Sequence, residues 1–352
     1  MLKITPITQG PEKPLFIAGP CSAESENQLL ATAKEISKIP EVEYFRSGIW
    51  KARSRPDWFP GAGDIALRWL KNVKSETGLK TCVEVALPEH IELCLKNDID
   101  MIWLGARTVA NPWAVDELSV ALKGTDIPVM VKNPMHPDPD LWTGALERLN
   151  RAGVTKLLAV HRGFSAHRSE PFRNMPLWEY PIELKRRHPD LPVIVDPSHI
   201  CGKRELIPVI AQLALDFAFD GLMVEVHPDP DKALSDRDQQ LTPEAFAKLI
   251  SSLSIRKARD GEYIKELELK RQQIDRLDKA LIDVLSERMR AVREIGEIKR
   301  HENLSILQME RWKKILEERT IAAEEAGLDP HFFKKLLELV HKEALRQQGE
   351  EY

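Results

Sequence analysis

Between residues 14 and 228, short apolar runs alternate with amphipathic stretches. Eight runs read as strands: PLFIAGPC (14–21), EYFRSGIW (43–50), KTCVEVAL (80–87), MIWLGA (101–106), PVMVKN (128–133), KLLAVHRG (156–163), PVIVDPSH (192–199) and GLMVEVHP (221–228). Several are apolar at consecutive positions, the pattern of parallel strands buried on both faces. Helical patterns such as ESENQLLATAKEISK and DIALRWLKNVKSE lie between them. Eight strand–helix units predict an α/β fold closed into a (β/α)8 TIM barrel, in preference to an open doubly wound sheet.

The pattern changes near residue 255. Residues 255–263, IRKARDGEY, read as a charged linker. Beyond them Ile264, Leu267, Ile274, Leu277, Leu281, Leu285, Val292, Ile295 and Ile298 recur at three- and four-residue steps, predicting one helix over 264–300. At 1.5 Å per residue it reaches about 55 Å, too long to pack only on a small monomer. HENLS breaks it, and a second helix is expected from about Ile306 to Ala326. Gly327 suits its C-cap, Asp329 caps a third helix, and Pro330 takes that helix's first position, running to about Gln348. The expected organisation is a barrel over 1–254, a linker over 255–263 and an all-α three-helix domain over 264–352.

Composition narrows the function classes. The 352 residues are 43% hydrophobic and 30% charged with a net charge of −4, so no polybasic surface announces nucleic acid or membrane. No apolar run approaches the ~18 residues of a membrane span. The opening MLKITPITQGPEKP lacks the apolar core of a secretory signal. The four cysteines, Cys21, Cys82, Cys94 and Cys201, form no CxxC pair. A reduced cytoplasm is the expected compartment, leaving the thiols for packing or metal.

The polar residues among the strands are not scattered. Cys21, Lys51, Glu84, Arg107, Lys132, Arg162, His199 and Glu225 fall at or near strand C-termini, the catalytic rim of a (β/α)8 barrel. Arg46, Lys51, Arg53, Arg107, Lys132 and Arg162 form a cationic set whose mutual repulsion is tolerable when dianionic substrates neutralise it. A second set, Cys21, His199, Glu225 and Asp236, offers one thiolate, one imidazole and two carboxylates. That mixture of softness suits a divalent Mn, Fe, Co or Zn ion.

The motifs GPCS (19–22), RSGIWKARSRPDWFPGAG (46–63), LGAR (104–107), VKNP (131–134), HRG (161–163), DPSH (196–199), VEVHPDP (224–230) and ALSD (233–236) run in order through residues 12–253. They resemble the short microbial subclass of 3-deoxy-D-arabino-heptulosonate 7-phosphate (DAHP) synthase. The family stretch R-G-G-x-F-K-P-R-T-S-P aligns without a gap on Arg46 to Pro56, with Ala52 for the usual Pro and Ser54 for the usual Thr. A sister family, the octulosonate 8-phosphate synthase, normally reads K-A-N-R-S here, and the one-residue spacing from Lys51 to Arg53 departs from it. The resemblance implies condensation of phosphoenolpyruvate with erythrose 4-phosphate. It implies one divalent metal per barrel, manganese first among the options, on Cys21, His199, Glu225 and Asp236. It also implies phosphoenolpyruvate on Arg46, Lys51, Arg107, Lys132 and Arg162, and the sugar phosphate on Arg53 and Ser54. Lys51, Glu84, Lys132 and Arg162 are the expected catalytic residues, with Glu84 orienting the attacking water or relaying a proton.

Residues 268–348 resemble the all-helical chorismate mutase class through R-x-x-I-x-x-L-D (271–278), L-x-E-R (285–288), V-x-E-I-G-x-I-K (292–299), Glu310-Arg311, the turn 327–330 and Gln348. The resemblance implies an intertwined homodimer. Arg288, Lys299, Arg311 and the partner-supplied Arg271 would grip chorismate or prephenate, Gln348 would donate to the ether oxygen, and Gln308 completes the expected substrate-binding set. Trp312 stands where a carboxylate usually bonds the substrate hydroxyl, Gln308 where an acid is frequent, and Ala344 where a small hydroxyl residue is frequent. The competing expectation keeps the synthase and makes the tail a dimerising sensor of chorismate or prephenate.

Overall fold

The computed structural model describes residues 2–51, 57–166, 170–256 and 264–349. The chain divides into two compact units, residues 1–258 and 259–352.

The first unit is a closed barrel of eight parallel strands in chain order: β1 (Leu15–Gly19), β2 (Val42–Ser47), β3 (Lys80–Val85), β4 (Met101–Leu104), β5 (Val129–Lys132), β6 (Leu157–His161), β7 (Val193–Val195) and β8 (Gly221–Glu225). Pairing of β1 with β8 closes it. All eight expected strands are present, and each stops short of the expected C-terminal end. The clearest correction is β7. Asp196 ends it and accepts a hydrogen bond from the His199 amide, capping the short helix Pro197–Cys201. His199 therefore sits on a helical turn above the strand. Helices begin in the same way elsewhere in the barrel. Asn111, Asp138 and Thr242 cap helices whose first residue is Pro112, Pro139 and Pro243. Proline tolerates that position because its missing N–H would have had no partner there.

Two apolar layers follow from strand alternation. Outward residues pack under the helices, and the inward set Leu15, Ile17, Tyr44, Cys82, Met101, Trp103, Met130, Leu158, Val160, Ile194 and Met223 fills the barrel. Two residues further along, the same inward parity reaches Gly19, Arg46, Glu84, Gly105, Lys132, Arg162, Asp196 and Glu225. The period of two thus converts a solid apolar core into a charged floor one layer higher. Trp103 lies beneath it, with the Arg46 guanidinium 4.9 Å and the Lys132 ammonium 5.8 Å from its ring centroid.

The second unit is three helices, Ile264–His301, Met309–Glu325 and Pro330–Gly349. The second starts three residues later than expected, because the chain bends at Ile306 and stays irregular to Gln308, the extended N-cap. Asp329 accepts from the Phe332 amide at 2.6 Å, as its capping role requires. Leu277, Leu281, Ile282 and Val284 are exposed on the long helix, and Leu339 on the last. Ile282, Leu285, Met289, Leu339 and Val340 line an apolar groove of about 670 Å³. Among the described residues, no helix is long and apolar enough to cross a membrane.

Candidate active sites

The barrel cavity, about 280 Å³, is lined by Arg46, Lys51, Glu84, Arg107, Lys132, Arg162, His199 and Asp236 together with Arg173 and Asn174. Arg53 and Ser54 lie outside the described residues.

On one side is the donor set. Cys21 Sγ, a Glu225 oxygen and an Asp236 oxygen lie within 4.8 Å of one another. His199 Nε2 stands 3.8 Å from Glu225 Oε1, while its Nδ1 lies 2.8 Å from Asp196 Oδ2. Three of the four expected ligands thus converge, and the imidazole is adjacent. Glu225 Oε2 accepts from Gln239, but Oε1 is buried without a hydrogen bond, Arg46 Nη2 standing off at 3.3 Å. A buried carboxylate oxygen left open beside a thiol and a second carboxylate fits a divalent cation. Burial, then Glu225, pushes the Cys21 thiol up to about 12, against the pull of Lys51, whose Nζ lies 2.5 Å from the sulfur. A bound metal ion reverses this, since a coordinating thiol is deprotonated.

On the other side are the cations. Arg46 is 2% exposed and Glu225 fully buried. Burial opposes the Arg46 charge, yet Glu225 and Asp196 hold its pKa above the ordinary value. Arg162 is less well compensated. Burial, with Arg173 and Arg107, lowers it to about 10 against the pull of Asp196. Its Nη1 donates to Asn174 Oδ1 at 3.1 Å, a neutral partner that leaves the charge to be met by an anion. Lys132 Nζ donates to Asp196 Oδ2 at 2.8 Å. That carboxylate is held well below its usual range: His199 and Lys132 outweigh its burial.

Asp196 and Arg173 are among the residues of this site that the sequence does not single out. Asp196 lies in the DPSH motif and orders both Lys132 and His199; the inward parity two residues after Ile194 was the available signal. Arg173 donates to Asp236 Oδ1 at 2.9 Å and to Gln239 at 2.6 Å. It arrives from the loop after β6, where no periodicity marks it.

The tail has its own cavity, about 290 Å³, lined by Arg288, Lys299, Gln308, Arg311, Trp312, His341 and Gln348 among others. Lys299 Nζ donates to the Ile306 carbonyl at 2.6 Å and to Gln348 Oε1 at 3.1 Å. Burial and then Arg311 lower its pKa. Gly296 lets the last helix approach: a Cβ there would lie 3.2 Å from the Gln348 Cα. Arg271 is not among the lining residues; it is exposed, 3.9 Å from Glu268.

The sequence model described as DAHP synthetase I family matches residues 1–258, and that described as chorismate mutase type II matches residues 270–349. A phospho-2-dehydro-3-deoxyheptonate aldolase of Thermotoga maritima is 32% identical over 238 residues, covering 68% of each chain. A 2-dehydro-3-deoxyphosphooctonate aldolase of Nitratidesulfovibrio vulgaris is 28% identical over 259 residues, covering 68% of this chain and 90% of its own. The crystal structure of the Thermotoga maritima DAHP synthase superposes with a TM-score of 0.61 at 30% identity, covering 67% of both chains.

Proposed function

Because the chain belongs to the DAHP synthetase I family, we propose that its barrel condenses phosphoenolpyruvate with erythrose 4-phosphate and that its chorismate mutase type II domain rearranges chorismate to prephenate. The barrel reading is carried by one observation. Inward-facing Arg46, Lys132 and Arg162 meet Lys51 and Arg107 on a single cavity beside the Cys21, Glu225 and Asp236 donor set.

Arg107 and Arg162 take the phosphate of phosphoenolpyruvate, and Arg46, Lys51 and Lys132 complete its anionic cradle. Arg53 and Ser54 take the sugar phosphate. Carbon 3 of phosphoenolpyruvate attacks the aldehyde carbon, leaving an oxocarbenium at carbon 2. Water adds there, oriented by Glu84, and inorganic phosphate leaves as the ketone forms. Cys21, His199, Glu225 and Asp236 would hold a divalent ion, manganese the first choice. When bound, that ion supplies Lewis-acid polarisation of the aldehyde oxygen.

In the tail, Arg288, Lys299 and Arg311, joined by Arg271 of a second copy, fold the dicarboxylate and place positive charge by the breaking C–O bond, while Gln348 donates to the ether oxygen. The exposed apolar positions of the long helix support a homodimer through this domain. A cytoplasmic setting accords with four free thiols among the described residues.

The test is an assay of the full chain with each substrate set, with and without chelator. Phosphate release should require both barrel substrates and stop reversibly on chelation, while prephenate formation should continue. Phosphate release only with a five-carbon sugar phosphate would transfer the barrel to the octulosonate class.

A further inference from the structure

The tail cavity contains a ring pair that the ligand-gripping set does not use. Trp312 and His341 stack face to face, with centroids 3.7 Å apart and planes 5° from parallel. Both line the cavity with Arg288, Lys299, Arg311 and Gln348. The indole covers one imidazole face and fixes the ring plane, leaving polar contact to the ring edge. On that edge His341 Nε2 is buried and has no hydrogen-bond partner within the protein. Arg288, another lining residue, has its Nη1 buried in the same state. Buried polar atoms without partners are rare and call for something outside the chain to meet them.

The two atoms call for different chemistry. A guanidinium nitrogen takes a carboxylate. His341 is kept neutral, its pKa lowered by burial and then by Arg288 and Lys299. A neutral imidazole nitrogen among cations can give or take one hydrogen bond and carries no charge to attract an anion. A hydroxyl satisfies it in either tautomer.

We propose that His341 Nε2 binds the ligand hydroxyl, with Trp312 as the plate that holds the imidazole in place. Resting on the mutase reading above, this gives the site its preference for a hydroxylated dicarboxylate. It also supplies the hydroxyl contact for which Trp312 itself has no acceptor. His341 acts in ground and transition states alike, so its loss should raise KM and leave kcat nearly unchanged.

The test uses the full chain with chorismate and with the analogue in which hydrogen replaces the hydroxyl, measuring turnover and calorimetric affinity. For wild type, the analogue should bind about tenfold more weakly than chorismate, a difference of about 1.4 kcal/mol. His341→Leu should weaken chorismate by the same factor and leave the analogue's affinity unchanged, removing the discrimination. His341→Gln, which keeps a donor and an acceptor, should recover most of it. If His341→Leu still discriminates as wild type does, the hydroxyl lies elsewhere and the proposal is overturned while the mutase reading stands. If wild type neither binds nor converts chorismate, both fall together.

Discussion

The Glu84 carboxylate fills the space beside the Cα of Gly105: a Cβ at position 105 would lie 2.1 Å from Glu84 Oε1. The backbone at Gly105 (φ −71°, ψ 159°) accepts any residue, so what position 105 lacks room for is a methyl group against that carboxylate. Gly105→Ala should displace the Glu84 tip without straining the fold. If Glu84 orients water, that shift lowers condensation kcat by about 10²-fold, the usual penalty for a misplacement near 1 Å. Melting temperature should hardly move. Wild-type kcat in Gly105→Ala would remove Glu84 from the chemistry.

Cys21 and Glu225 bear on the metal. Cys21→Ala removes the soft donor, and Glu225→Gln replaces the open Oε1 acceptor by an amide. Both should purify with little bound divalent metal and lose condensation, while chorismate turnover by the tail persists. Elemental analysis of the purified variants is the deciding measurement. Full metal occupancy in Cys21→Ala would exclude the thiol as a ligand.

Lys132→Ala and Arg162→Ala each delete a cation from the phosphoenolpyruvate cradle. Each should cost roughly 2–4 kcal/mol in kcat/KM if its contact strengthens as charge develops. Lys132→Ala also removes the ammonium 2.8 Å from Asp196 Oδ2, leaving His199 Nδ1 as the ring nitrogen at that distance and Arg46 and Arg162 as the remaining nearby cations. Asp196→Asn should therefore impair both phosphoenolpyruvate binding and metal retention, whereas Arg162→Ala should impair only the first. Unaltered kinetics in both cation variants would return them to a structural role.

Much of this was readable in the sequence because strand alternation is rigid. Once Met130 or Met223 is assigned to the interior, Lys132 and Glu225 must point the same way. The apolar runs located all eight strands, and the 264–300 pattern located the long tail helix. Legibility ended where position depends on loops. His199 was assigned to a strand because VIVDPSH is apolar at its start, but Asp196 and Pro197 begin a helical turn. Arg173 and His341 carry no such signal, because a loop arginine and a histidine on an amphipathic helix look like ordinary surface residues in sequence, and only the fold puts them on the linings of the two cavities.

His161 should make the barrel acid-sensitive. It is buried beside Phe164 and Trp178, and burial lowers it to about 3 despite the pull of the Pro176 carbonyl. Unfolded, it titrates near 6.5. Between those values the unfolded chain binds the extra proton. Its contribution therefore favours the native state above pH 6.5 and is progressively lost as pH falls toward 3. Replacing it should flatten the acid limb by up to ~1.4 kcal/mol per pH unit. Urea unfolding of wild type and His161→Leu from pH 7.5 to 4.5 measures the difference. Parallel curves would mean that His161 protonates freely in the native barrel.

Arg271 tests whether the tail site is shared between two copies. In its own chain Arg271 is exposed and absent from the cavity that gathers Arg288, Lys299 and Arg311. If a second copy delivers it, each site of a symmetric dimer combines the cavity of one chain with Arg271 of the other. Arg271→Ala and Arg288→Ala should each abolish chorismate turnover alone. In a mixed dimer one site then carries both substitutions and the other carries neither. Equal amounts, exchanged to equilibrium, form mixed dimers as half of the population, and half of the sites in those dimers are intact. Turnover should therefore recover to about a quarter of wild type. Ile282→Glu, which places charge on the apolar groove, should yield monomers by sedimentation and remove both activity and recovery. An inactive mixture with proven subunit exchange would show that Arg271 serves the cavity of its own chain.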